Sequence, residues 1–152
     1  DSFAKPLDDK WPDLCIGLLI FETGEKPHSS TQAMLNCAKT SPSFKEWPAQ
    51  HANDLNEFKE ALDKKNFTLL GEVSERNAQA MHQTIIDSQP SINYSTKETT
   101  RLKEKVWQLR EEGVPVYFTQ DAGPNLKLIF EESSQEAIKK HFPSVDIIEA
   151  FT

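Results

Sequence analysis

Six consecutive residues, Gln120-Asp-Ala-Gly-Pro-Asn125, bring together the side chains from which a small catalytic turn can be built. Asp121 stands one residue past the strand-like run Val116-Tyr-Phe-Thr119, separated from it by Gln120. A carboxylate held there could orient or deprotonate a hydroxyl, and Gly123 admits backbone conformations closed to other residues. The same composition also suits an ordinary turn, and spacing alone does not choose between the two. A second place is Gly24-Glu-Lys-Pro-His-Ser-Ser-Thr-Gln32. If Ser29 caps a helix, Ser30 and Thr31 fall in its first turn. Unpaired N–H groups and the helix dipole favour an anion there, with Lys26 and His28 close by. That is a seat for a phosphate, or an ordinary helix cap.

Elsewhere the chemistry-bearing residues do not converge. Asn77 and His82 lie five apart on one helical run, so they point in different directions and read as structural. The four histidines (28, 51, 82 and 141) are scattered, and Cys15 and Cys37 stand 22 apart. No pair has metal-ligand spacing, and no metal held by this chain is expected. There is no Ser-His-Asp candidate, no dinucleotide glycine fingerprint and no phosphate-binding P-loop, which removes the simple ATPase and oxidoreductase readings.

The elements that must position these residues follow from periodicity. Leu14–Glu22 is an apolar run bounded by Pro12 and Gly24, a strand buried on both faces and central in its sheet. Ser29-x-x-Gln32 is a capping-box spacing that starts a short helix at Ser30. Leu55, Phe58 and Leu62 mark a helix over 53–65, and Leu70, Val73, Ala80, Met81 and Ile85 mark a second over 67–87, making an αα-hairpin. Ser95-x-x-Glu98 predicts another cap, for a helix that ends at Gly113. Val114–Thr119 and Leu126–Phe130 then form a β-hairpin around Gly123 and Pro124. Ser133-x-x-Glu136 caps a last helix to His141, and a strand over 145–151 closes the domain. The order β-α-α-α-α-β-β-α-β predicts an α+β fold, a small and mostly antiparallel sheet with helices over one face. The final unit is similar to half of a ferredoxin-like plait.

At 152 residues the chain is one domain. Its formal charge of −7 argues against a nucleic-acid-binding face, which needs surplus cations. The longest apolar run, Leu14–Phe21, is far short of the roughly 20 residues of a membrane helix. Two cysteines in core-like segments read as reduced thiols, which places the protein in the cytoplasm. Residues 1–10, polar and without period, read as a linker ahead of a domain spanning 11–152.

Val116-Tyr-Phe-Thr-Gln-Asp-Ala-Gly-Pro-Asn125 resembles the Ala/Cys-Tyr-Phe/Thr-Thr-x-Asp-Ala-Gly-Pro-Asn signature of diphosphomevalonate decarboxylases, members of the GHMP kinase superfamily. Three further segments agree in order: Lys26-x-x-Ser-Ser-Thr-x-x-Met34, Asn77-x-x-x-Met81-His82 followed by Pro90 and Tyr94, and Trp11-Pro-x-Leu14. The resemblance runs over about 11–150 and corresponds to the carboxyl-terminal half of those enzymes, a GHMP kinase C-terminal-type domain.

The resemblance implies an ATP-dependent lyase of the mevalonate pathway of isoprenoid biosynthesis. Mevalonate 5-diphosphate is phosphorylated on its tertiary hydroxyl and then loses phosphate and carbon dioxide to give isopentenyl diphosphate. Asp121 matches the family's catalytic aspartate. Ser30 matches a serine that holds the substrate diphosphate, with Thr31 beside it and Ser29 and Gly123 as supporting loop residues. Thr31 stands where some members carry Arg, and Ala33 replaces a Gly found in many. The lost guanidinium removes a bidentate clamp, so a phosphomevalonate decarboxylase or a mevalonate 3-kinase stays open, as does a non-catalytic binding or dimerisation module. ATP and Mg2+ would be bound mainly by an amino-terminal half that residues 1–10 would connect to. By the same resemblance the whole enzyme is expected to be a homodimer, while the charge and the short apolar runs argue against nucleic acid and membrane as partners. The domain alone is expected to fold without turning over.

Overall fold

The computed structural model describes residues 11–24 and 29–149; the linker read at 1–10, with Lys26 and His28, lies outside them. The elements are β1 (Leu14–Leu19), α1 (Ser30–Thr40), α2 (Trp47–Asp63), α3 (Phe67–Ile86), α4 (Lys97–Glu111), β2 (Val116–Thr119), β3 (Leu126–Glu131), α5 (Gln135–His141) and β4 (Asp146–Glu149). Short 3-10 turns at Ser43–Lys45 and Glu132–Ser134 precede α2 and α5. No helix among the described residues is long and apolar enough to cross a membrane.

The sheet order is β2-β3-β1-β4 with antiparallel pairing throughout. With α4 before β2 and α5 before β4, this is the ferredoxin-like arrangement that the final unit foreshadows. β1 is central, as its unbroken apolar run requires. The α+β class holds, but the helices do not lie over one face. Cys15, Leu19, Val116, Phe118, Leu128 and Phe130 pack against Leu102, Val106 and Leu109 of α4 and Ile138 of α5. Their neighbours in sequence, Leu14, Tyr117 and Ile129, point the other way onto Ala61 of α2 and Phe67 and Leu70 of α3. A strand presents alternate residues to opposite faces. A sheet apolar on both faces needs two covers, and the α1–α3 insertion is the second.

Two glycines are required by geometry. A Cβ on Gly71 would lie 2.0 Å from the Tyr117 ring, so α3 approaches β2 this closely only without a side chain. Gly113 has φ 91° and closes α4, its N–H on Arg110 O and the Val114 N–H on Leu109 O, the paired bonds of a Schellman motif.

Several predicted boundaries shift. α2 begins at Trp47 rather than Asn53, because Pro48 suits the first turn of a helix. The box of α4 is Thr96 with Thr99, one residue later than the Ser95–Glu98 spacing. The Ser29 side chain makes no capping bond to α1, and neither Ser133 nor Ser134 caps α5. A short polar side chain is needed for a box, but the backbone trajectory decides which one forms it.

The edge strand β2 is closed by side chains. Buried Glu75 of α3 accepts from Trp107 Nε1 (2.6 Å), Arg110 Nη1 (3.0 Å) and the Phe118 N–H (3.4 Å). Arg110 also donates to Val116 O at 3.1 Å and lies over the Tyr117 ring. These contacts occupy backbone groups that an open edge would offer to another chain.

Candidate functional site

β2 and β3 present the tip 120–125 at one end of the sheet. Each part of that tip has a separate anchor. Gln120, 2% exposed, donates from Nε2 to Gly123 O at 2.7 Å and to Ser95 Oγ at 3.4 Å. Thr99, the capping-box residue of α4, donates from Oγ1 to Pro124 O at 2.9 Å. Asn125 accepts from the N–H groups of Phe21 and Glu22 (3.1 Å each) and donates to Glu22 O (2.8 Å), tying the tip to the chain that leaves β1. His82 of α3 donates from Nε2 to Asp121 O at 3.1 Å. Ala122 packs with Ile85, Tyr94 and, on α1, Ala33 and Cys37.

The backbone is pinned while the Asp121 side chain stays open: it is 74% exposed, and its partner is the Lys127 ammonium, which rises from β3 opposite Thr119. Asp121 and Lys127 border a cleft of about 610 Å3, whose apolar wall includes Leu18, Ile20, Ile92 and Tyr94. A carboxylate, an adjacent cation and an apolar wall suit a hydroxyl-bearing substrate with anionic and hydrocarbon parts.

Gly123 lines this cleft. It does not carry the left-handed backbone that its composition suggests: among the described residues the glycine with positive φ is Gly113. What the tip uses at 123 is the carbonyl, which accepts from Gln120.

Ser30 opens α1 as the spacing predicts, and Ser29, Ser30 and Thr31 are exposed. None of the three lines the cleft beside Asp121. Their connection to it runs through α1, because Ala33, one turn on, shares a cluster with Tyr94 and Ala122. Without a Ser29 side-chain cap, the first N–H groups of α1 carry no side-chain partner from that residue.

Asn77 and His82 diverge, as their spacing requires. Asn77 donates to buried Asp54 Oδ2 (3.0 Å) and contacts His51 Nδ1 (3.1 Å), and Arg76 pairs with the same aspartate at 2.8 Å; this network binds α2 to α3. His82 reaches the tip instead. Burial, with the positive charge of Lys103, pushes its pKa below the ordinary imidazole value. The ring is therefore neutral near pH 7, and its single N–H sits on Nε2, since the acceptor is a carbonyl.

Gln120, Asn125, Thr99 and Lys127 acquire their places at the site from the fold. Asn125 and Gln120 stand inside the motif, so their identity was visible although their partners were not. Thr99 and Lys127 carried no signal. Both cysteines are buried and make no disulfide.

Residues 16–151 match the model of the mevalonate 5-diphosphate decarboxylase C-terminal domain. The diphosphomevalonate decarboxylase of Candida albicans is 27% identical over 142 residues, covering 90% of this chain and 39% of that protein. The structure of mevalonate pyrophosphate decarboxylase from Streptococcus pyogenes superposes with a TM-score of 0.84 at 33% identity, over 96% of this chain and 46% of that one. A related structure, MDDEF in complex with MVAPP, AMPPCP and magnesium, gives a TM-score of 0.81 at 30% identity, over 91% and 47%. The chain thus spans less than half the length of these relatives.

Proposed function

The chain belongs to the mevalonate 5-diphosphate decarboxylase C-terminal domain family, and from that premise we propose that it is the Asp121-bearing half of an ATP-dependent decarboxylase. That enzyme converts mevalonate 5-diphosphate to isopentenyl diphosphate, with release of ADP, phosphate and carbon dioxide. The observation that carries the reading is the exposed Asp121 carboxylate on a backbone pinned from four directions at the edge of a cleft.

In this role Asp121 accepts a hydrogen bond from the tertiary hydroxyl and takes its proton as that oxygen is phosphorylated. Asp121, whose side chain is open to solvent, releases that proton to water and is a carboxylate again; as phosphate then departs, its negative charge close to the tertiary carbon stabilises the positive character that develops there. Lys127 keeps the carboxylate oriented until substrate arrives. Ser30 and the opening N–H groups of α1 hold the diphosphate. Thr31 contributes a hydroxyl where some relatives have a guanidinium, and Ser29 and Gly123 shape the two loops.

The described residues contain no group of three His, Cys, Asp or Glu side chains able to hold a metal ion. ATP with Mg2+ would be held mainly by a nucleotide-binding part outside this domain. The whole enzyme is proposed to be a cytoplasmic homodimer.

The test is carbon dioxide release from mevalonate 5-diphosphate and ATP by the full-length protein with and without Asp121→Asn. Near-normal release by the variant would remove Asp121 from the mechanism. Comparing turnover of mevalonate, its 5-phosphate and its 5-diphosphate decides the substrate, which the Thr31 position leaves as the second reading. Calorimetric silence toward mevalonate 5-diphosphate with a non-hydrolysable ATP analogue would favour a binding module instead.

A further inference from the structure

Three of the four anchors of the tip hold residues beside Asp121; the fourth holds Asp121 itself. Gln120 bonds Gly123 O, Thr99 bonds Pro124 O, and Asn125 reaches Glu22, whereas His82 Nε2 bonds the main-chain carbonyl of Asp121. That carbonyl shares a Cα with the carboxylate, so turning the peptide swings the side chain.

His82 is itself held firmly. It is 5% exposed, its ring stands edge-on to Tyr94 at 6.2 Å and 86°, and it lies on the 20-residue helix α3. Ile85, three residues further along α3, packs in one cluster with Ala33 and Cys37 of α1. At about 1.5 Å rise per residue, roughly 4.5 Å of rigid helix separates the contact with the Asp121 loop from the contact with the Ser30 helix. Tyr94 closes the arrangement, touching His82 and belonging to the same cluster as α1.

We propose that His82 is a positioning residue: by holding the Asp121 carbonyl from α3, it fixes the distance between the Asp121 carboxylate and the diphosphate-holding start of α1. The proposal rests on the roles assigned above to Asp121 and Ser30. A site that anchors a substrate at one end and reacts at the other depends on that distance, and a displacement of about 1 Å can cost on the order of a hundredfold in rate.

The experiment compares His82→Met and His82→Gln in the full-length protein, with Asp121→Asn alongside, by steady-state turnover of mevalonate 5-diphosphate. Met and Gln have similar length, but only Gln can donate to the Asp121 carbonyl. The expected result is a fall in kcat of roughly tenfold or more for His82→Met, with KM for mevalonate 5-diphosphate nearly unchanged, because the α1 contact is untouched. His82→Gln should recover most of kcat. If His82→Met does not fold, His82→Asn takes its place, since it keeps the amide and shortens its reach.

A structural role alone would lower the amount of folded enzyme without separating Gln from Met. Equal kcat in the two variants, or a rise in KM at constant kcat, overturns the proposal. If Asp121→Asn retains wild-type turnover, the functional reading fails. If Asp121→Asn is inactive while the His82 variant that cannot bond the Asp121 carbonyl turns over normally, only the His82 assignment fails.

Discussion

Removing the Asn125 side chain should loosen the tip from β1 by an amount that its contacts allow to be worked out. The amide accepts from two N–H groups at 3.1 Å and donates to one carbonyl at 2.8 Å, bridging positions more than 100 residues apart in sequence. The site is partly open to water, so each bond falls in the lower part of the usual net range, about 0.5–1 kcal/mol. Asn125→Ala then costs roughly 1.5–3 kcal/mol. With a urea m-value of about 2 kcal/mol per molar, the unfolding midpoint falls by roughly 1 M. Asn125→Asp keeps the acceptor for both N–H groups and loses the donor to Glu22 O, so it should lie between wild type and Ala. The assay is urea unfolding of the 152-residue chain followed by the fluorescence of its three tryptophans. A midpoint for Asn125→Ala within experimental error of wild type would refute the reasoning. So would an Asp variant no better than Ala, because the two accepted bonds could not then be what matters.

Other perturbations probe different levels of the structure. Gly71→Ala places a Cβ 2.0 Å from a Tyr117 ring already flanked by Phe67 and Arg110, so it should cost at least about 1–3 kcal/mol and lower the melting temperature by several degrees. Calorimetry of that variant checks it, and an unchanged melt would mean α3 can back away from β2. His82 titrates below the ordinary value of 6.5 in the folded chain, chiefly through burial, with Lys103 acting the same way and Asp121 opposing. The unfolded chain therefore binds the proton first as pH falls, and stability should decline below about pH 6.5. In His82→Gln, that part of the pH dependence should vanish from urea midpoints measured between pH 5 and 7. Ser30→Ala in the full-length protein should raise KM for mevalonate 5-diphosphate by roughly tenfold, the loss of one hydrogen bond to a charged group, with a smaller change in kcat. Steady-state kinetics with a kcat effect alone would move Ser30 out of the diphosphate seat.

The elements were legible where their signal was local. The Gly113 stop, the β-hairpin and, apart from the earlier start of α2 at Trp47, the αα-hairpin lie within a few residues of where periodicity puts them, because an apolar stripe or a positive-φ glycine acts on its own neighbourhood. The caps were less legible. Ser29, Ser95 and Ser133 all have box-like spacing, yet Thr96 and Asn66 supply the side-chain caps seen at α4 and α3. Several short polar residues compete at each helix start, and tertiary packing selects among them. Asp121 stood out through its motif and Ser30 through its place at a helix start. Lys127 and Thr99 did not, since neither belongs to a pattern until the chain folds.

What the sequence by itself determined was the set of elements, the antiparallel hairpin and the residue types at its tip, all of which rest on short-range sterics and hydrophobic period. Tertiary structure alone decided that α2 and α3 cover one face of the sheet while α4 and α5 cover the other, since alternation marks two buried faces without saying which helix fills each. It also decided that the Asp121 tip is pinned by His82, Thr99 and the chain around Glu22, from positions 39, 25 and 103 residues away from their respective partners. Such bonds depend on where distant backbone comes to rest, and that is set by the packing of the whole core rather than by any window of sequence.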